Sequence, residues 1–169
     1  ESLSDEELFS LFEAARWAPS SYNEQPWRFI FAKQGTGQFK KLHSLLSDGN
    51  KPWNEKSSVL IVLCSKKTDY KGRENTKHVF DAGAAWENLA LEATSRGLII
   101  HPMGGFDREG AKKVVNVPDD YEVLIMITVG KPGKIEDLSP DLQEREHPTQ
   151  RKALSELVFE NEFGKPCEC

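Results

Sequence analysis

The sequence predicts one domain that mixes helices and strands. Apolar residues recur at helical spacing in three segments, and apolar runs of strand length lie between them. A chain of 169 residues is long enough for a single domain with a full core. Hydrophobic residues at 38% and charged residues at 29% fit a soluble globular class. The net charge of −5 argues against general nucleic-acid binding. No apolar run reaches membrane-spanning length and no signal-peptide pattern opens the chain. No membrane partner and a cytoplasmic location are therefore expected. Three cysteines make no even-numbered disulfide framework.

Ser4-Asp5-Glu6-Glu7 reads as a capping box, with Leu3 and Leu8 at the staple positions. Leu8, Leu11, Phe12, Ala15 and Ala18 then predict an amphipathic helix over residues 5–17. Arg16 and Trp17 fit a surface pair, or a wall of a binding site. Residues 18–27 follow as a loop between two prolines, Pro19 and Pro26, each of which lacks a backbone donor. Ser20, Ser21, Asn23 and Gln25 crowd polar side chains into it. Such residues turn back onto their own backbone, or offer hydrogen bonds to a planar polar ligand. Trp27-Arg28-Phe29-Ile30-Phe31-Ala32 reads as a strand, and Phe39, Leu42, Leu45 and Leu46 predict a helix over 38–47.

Asp48-Gly49-Asn50 signals a turn. Ser58–Cys64 is a continuous apolar run that fits a buried strand, with Cys64 an inert core thiol. The charged stretch from Lys66 to Lys77 reads as a solvated loop. Residues 78–96 form the main helix, and its broad apolar coverage suggests a buried one. Gly83 costs about 1 kcal/mol there against Ala, which a close packing partner would offset. Arg96-Gly97 ends it with a basic turn and a glycine cap. Leu98-Ile99-Ile100 leads into His101-Pro102-Met103-Gly104-Gly105, where paired glycines let a backbone approach a flat ligand. Asp107 caps a helix running to about Val115. Residues 122–129 read as a strand, and 134–150 as an irregular polar segment of functional length. Cys167-Glu168-Cys169 offers two soft ligands, too few for a structural zinc site, and the four histidines lack metal spacing.

The stretch Pro19-Ser20-Ser21-Tyr22-Asn23-Glu24-Gln25-Pro26-Trp27 resembles the Pro-Ser-Ser-Xaa-Asn-Xaa-Gln-Pro-Trp motif of the nitroreductase family of FMN-dependent oxidoreductases. Pro102 to Asp107 resembles the family's second flavin turn, and Asp81-Ala82-Gly83 with Asn88-Leu89 resembles its central helix. The resemblance runs from about Ser4 to Val158. It implies an α+β fold: a central, mostly antiparallel sheet flanked by helices, with a C-terminal arm crossing to the partner subunit. It also implies an obligate homodimer with FMN at the interface. The implied flavin contacts are Pro19, Ser20, Ser21, Asn23, Gln25, Asn50, Pro102, Met103, Gly104 and Gly105. Asn50 reads equally well as a plain turn residue. Arg151 and Lys152 would hold the FMN phosphate; for Lys152 a solvated basic residue is an equal alternative.

Three positions depart from the family pattern. Gly104 stands where Glu is frequent, Trp53 where some members carry a basic residue, and Thr149 where a basic residue is common. The family's Arg-Xaa-Ser-Xaa-Arg segment is expected upstream of Glu1.

No protein nucleophile or acid–base pair declares itself, and no Rossmann or Walker motif is present. That fits an enzyme whose cofactor carries the chemistry. The implied reaction passes reducing equivalents from NADH or NADPH through FMN to a small acceptor, a nitroaromatic or a quinone, in ping-pong order. The alternative is a homodimeric binding protein that lacks flavin or sequesters it.

Overall fold

The computed structural model describes residues 2–165. The C-x-C tail at Cys167 and Cys169 lies outside them. The chain divides into two compact units, one up to Pro132 and one from Gly133 onward.

The first unit is built on a four-stranded sheet. Its strands are β1 (Trp27–Lys33), β2 (Val59–Lys66), β3 (Ile99–Met103) and β4 (Tyr121–Gly130). Their order is β1-β2-β4-β3 and every pairing is antiparallel, as the resemblance implied. Five helices accompany it: α1 (Asp5–Arg16), α2 (Gly37–Ser44), α3 (Lys51–Asn54), α4 (His78–Ser95) and α5 (Arg108–Val114).

Side chains on alternate strand positions divide the core into two layers. On one face Trp27, Ile61, Leu63 and Ile127 meet Leu8 and Leu11 of α1 and Ala82, Ala85 and Leu89 of α4. On the other, Leu60, Val62, Met103 and Met126 meet Phe39 and Leu42 of α2 and Ala111 of α5. A bulge between Leu63 and Cys64 interrupts the alternation, since Leu63 pairs with Ile125 and Cys64 with Val123. The extra residue, Leu124, packs in the α1/α4 layer beside Ile125. Pro102 fits because β3 is an edge strand, where a missing donor is tolerated.

Helix α1 begins as the sequence specifies. Glu7 N–H donates to Ser4 Oγ at 3.1 Å, and Ser4 N–H to Glu7 Oε2 at 2.7 Å. Arg16 and Trp17 form an exposed pair, with the guanidinium carbon 5.0 Å from the indole centroid. Helix α2 ends at Ser44 rather than 47, because Leu46 leaves it to bridge Phe106. The Lys66–Lys77 stretch contains a small hairpin, with Thr68 bridged to Glu74. Helix α4 is buried along one face only: Phe80 is 80% exposed and Leu91 60%. No atom lies within 4 Å of a Cβ placed on Gly83.

The second unit holds α6 (Pro140–Gln143) and two 3-10 turns, Ile135–Asp137 and Leu154–Glu156. Ile135, Leu154, Leu157 and Phe163 in it are exposed. Among the described residues no helix is long and apolar enough to cross a membrane.

Candidate functional site

The loop before β1 is held in an uncommon conformation. Tyr22, Asn23 and Gln25 have φ of 53°, 57° and 47°, the left-handed region that side chains other than glycine enter sparingly. Four hydrogen bonds keep it there. Ser20 Oγ accepts from Gln25 N–H at 3.0 Å, and Gln25 Nε2 donates to Asn23 O at 3.0 Å. Arg28 Nη1 donates to Gln25 O at 3.0 Å. Asp81 Oδ2, from α4, accepts from Ser21 N–H at 3.1 Å. Ser20 and Gln25 are thus braces of the loop. Ser21 Oγ and the Asn23 side-chain amide have no hydrogen-bond partner among the described residues and remain available to a ligand. Pro19 is exposed beside them.

The turn after β3 is built by a second set. Gly105 O accepts twice, from Ser47 N–H at 2.9 Å and from Asn50 Nδ2 at 3.1 Å. Asp107 N–H donates to Leu45 O at 2.9 Å, and Asp107 Oδ1 caps α5 by accepting from Gly110 N–H. Met103 is buried, its sulfur 3.1 Å from Asn54 Nδ2. That same amide donates to Asn50 O at 2.8 Å. Asn50 and Met103 therefore shape the turn from behind. A Cβ on Gly105 would stand 2.8 Å from Ser47 Oγ and 3.1 Å from Asn50 Nδ2, whereas one on Gly104 meets nothing within 4 Å. The glycine at 105 admits the 47–50 segment, and Gly104 faces open space. Both are exposed, and neither N–H has an acceptor among the described residues.

The structure thus joins Asn50 to Pro102–Gly105, and Pro19 to Ser20, Ser21, Asn23 and Gln25. It does not join the two groups. The loop precedes β1 on one edge of the sheet and is tied to α4; the turn follows β3 on the other edge and is tied to the α2–α3 connection. Two strands intervene, so three interstrand spacings, about 14 Å, separate the edges. Arg151 and Lys152 belong to the second unit and are exposed, with Arg151 Nη1 donating to Thr149 Oγ1 at 3.2 Å.

Asp81, Ser47 and Asn54 are supports that sequence reasoning did not assign. An acidic residue in a first helical turn reads as a partner of the helix dipole, so nothing local marks Asp81 as an anchor for a loop 60 positions away. Cys64 is 1% exposed, and burial pushes its thiol up to about 12, which makes it inert. Among the described residues no cluster of three or more metal-ligating side chains occurs.

The sequence profile of the nitroreductase family matches residues 1–47 and 33–131. An uncharacterized 15.4 kDa protein of Mycolicibacterium smegmatis is 34% identical, over 82% of this chain and 99% of its own length. The FMN reductase (NADPH) of Bacillus subtilis is 28% identical, over 83% of this chain and 62% of its own. A crystal structure of an oxidoreductase containing FMN superposes with a TM-score of 0.93 at 34% identity, covering 98% of this chain and 85% of that one. Loop, turn and sheet order thus sit in a chain that belongs to the nitroreductase family.

Proposed function

We propose that this chain is an NAD(P)H-dependent FMN oxidoreductase acting as a homodimer, with each site built from the loop of one protomer and the turn of its partner. The observation that carries the reading is the placement of loop and turn on opposite edges of one sheet. Each is braced by hydrogen bonds and presents free polar groups, yet the two are about 14 Å apart across the strands. A two-fold pairing brings one chain's loop to the other chain's turn and makes two sites at once.

The groups on offer fit FMN. A flavin ring has carbonyl and nitrogen positions along its polar edge. Ser21 Oγ and the Asn23 amide supply hydrogen bonds from one side. The N–H groups of Gly104 and Gly105 supply donors from the other, with no Cβ at 104 to hold the ring off. Arg151 and Lys152 carry the charge that a phosphate needs. The chemistry that FMN supplies when bound is transfer of reducing equivalents, from NADH or NADPH to a small acceptor such as a nitroaromatic or a quinone. The chain's part is to fix the ring, exclude water and place donors where negative charge develops.

The exposed stripe on α4 suits the dimer face. Phe80, Gly83, Ala84, Glu87 and Leu91 recur at helical spacing on it, and Phe80 and Leu91 lack cover in the single chain. Gly83 leaves room for a partner helix to approach. The exposed Leu154 and Leu157 beside Arg151 suit an arm that lies on the partner.

Purified protein is expected to be yellow, to release FMN on heating, and to bleach anaerobically with NADH or NADPH. A colourless protein that FMN cannot reconstitute overturns the reading. Donor and acceptor share one site in turn, so double-reciprocal plots are expected to be parallel; intersecting lines would contradict that order.

A further inference from the structure

Beside the loop stands a second surface that the flavin reading does not use. Tyr22, at the tip of the loop, is 90% exposed, although the backbone on both sides is fixed by hydrogen bonds. The hairpin of residues 67–75 docks against the loop, with Tyr70 N–H donating to Glu24 Oε1 at 3.1 Å. Tyr70 is itself 68% exposed, and Lys71 Nζ stands 5.2 Å from its ring centroid. Arg73 is bound at two nitrogens by Asp69 Oδ2, at 2.9 and 2.7 Å. Asp69, by its hydrogen bonds first and its charge second, favours the charged form of that guanidinium. Residues 66–77 carry five cations against two carboxylates in a chain whose net charge is −5.

Two exposed aromatic faces on a braced frame, edged by cations, suit a ligand that is both flat and anionic. Resting on the reading above, we infer that Tyr22, Tyr70, Lys71 and Arg73 form a subsite for the adenosine-phosphate end of the nicotinamide dinucleotide. The purine lies on the phenols. Lys71, on an exposed side chain, pairs with phosphate. Arg73, fixed by Asp69, contributes field rather than direct contact. The nicotinamide end is left free to reach the flavin.

The test uses the FMN-loaded protein and two probes. The first is 2′,5′-ADP, which has adenosine and phosphates but no nicotinamide, followed by calorimetry. Tyr70→Ala is expected to weaken its binding about tenfold and Lys71→Ala about threefold. The second is turnover with NADPH against reduced nicotinamide mononucleotide, which lacks the adenosine. The same variants are expected to raise KM for NADPH by similar factors and leave the shorter donor's KM alone. Absent 2′,5′-ADP binding, or binding untouched by both variants, overturns the subsite. Equal losses with both donors overturn it as well, since the residues would then act on the flavin end. Binding of 2′,5′-ADP that depends on Tyr70, in a protein that neither donor reduces, supports the subsite and sinks the oxidoreductase reading instead.

Discussion

Asp81 Oδ2 takes Ser21 N–H in a setting where the residue is only 4% exposed, so loop and helix share one hydrogen bond to a buried carboxylate. Hydrogen bonds to charged groups contribute about 1.5–3 kcal/mol. Asp81→Ala is therefore expected to weaken FMN binding about 10–100-fold by loosening the loop, and Asp81→Asn, which keeps an acceptor, markedly less. Flavin fluorescence titration checks both. Arg151→Ala is expected to lose FMN on dialysis with its fold intact, and circular dichroism with the same titration decides it. Cys64 gives a prediction of opposite kind. Its thiol is pushed up from 9.0 to about 12 by burial, so the folded state favours the protonated form. That contribution is whole below pH 9 and fades as pH rises toward 12. At pH 8 a disulfide reagent is expected to leave Cys64 unmodified in the native protein and to label it in denaturant.

Helix α1 and the β3–α5 turn show what a local pattern specifies and where it stops. The capping box was legible because its two hydrogen bonds join residues three apart. Glu7 is held below the usual carboxylate range by Ser4 N–H first and then by the Ser4 hydroxyl. A lowered value means the stabilisation is present above pH 4.5 and is lost as pH falls through the folded value. Ser4→Ala is expected to lower Tm by about 2–4 °C at pH 7, with the gap to the parent closing in acid. The end of α2 was not legible, since Leu45 and Leu46 keep the helical spacing and are drawn out only by Phe106 and Asp107, 60 positions on. The glycine pair was legible as a close approach, but not which neighbour approaches. At 105 the missing Cβ makes room for Ser47 and Asn50. Gly105→Ala is thus expected to weaken FMN binding through the 47–50 segment, and adding Ser47→Gly to restore most of it. A double variant no better than the single would place the loss at the ring itself.

At the level of the whole molecule, residue order carried the motifs but not their separation. Residues 19–25 and 102–105 read as one site in the sequence, because each suits a flavin. The order β1-β2-β4-β3 puts them on opposite edges, and nothing in either motif encodes that order. The half-exposed α4 is the related case. Its broad apolar coverage is read as burial, yet Phe80 and Leu91 are exposed, because the width of an apolar stripe does not say how much of it the chain's own core covers. The central claim is that a site takes its loop and its turn from different protomers. Mixed dimers test it most directly. Ser21→Phe blocks the loop, and Gly104→Trp blocks the turn in space that the chain itself leaves open. Each variant alone is expected to bind no FMN. Unfolded together and refolded, they pair at random, and each mixed dimer then holds one intact loop facing one intact turn. Visible absorbance is expected to recover to about one quarter of the parent value per chain. If loop and turn belong to the same chain, every site keeps one defect, and the mixture stays colourless.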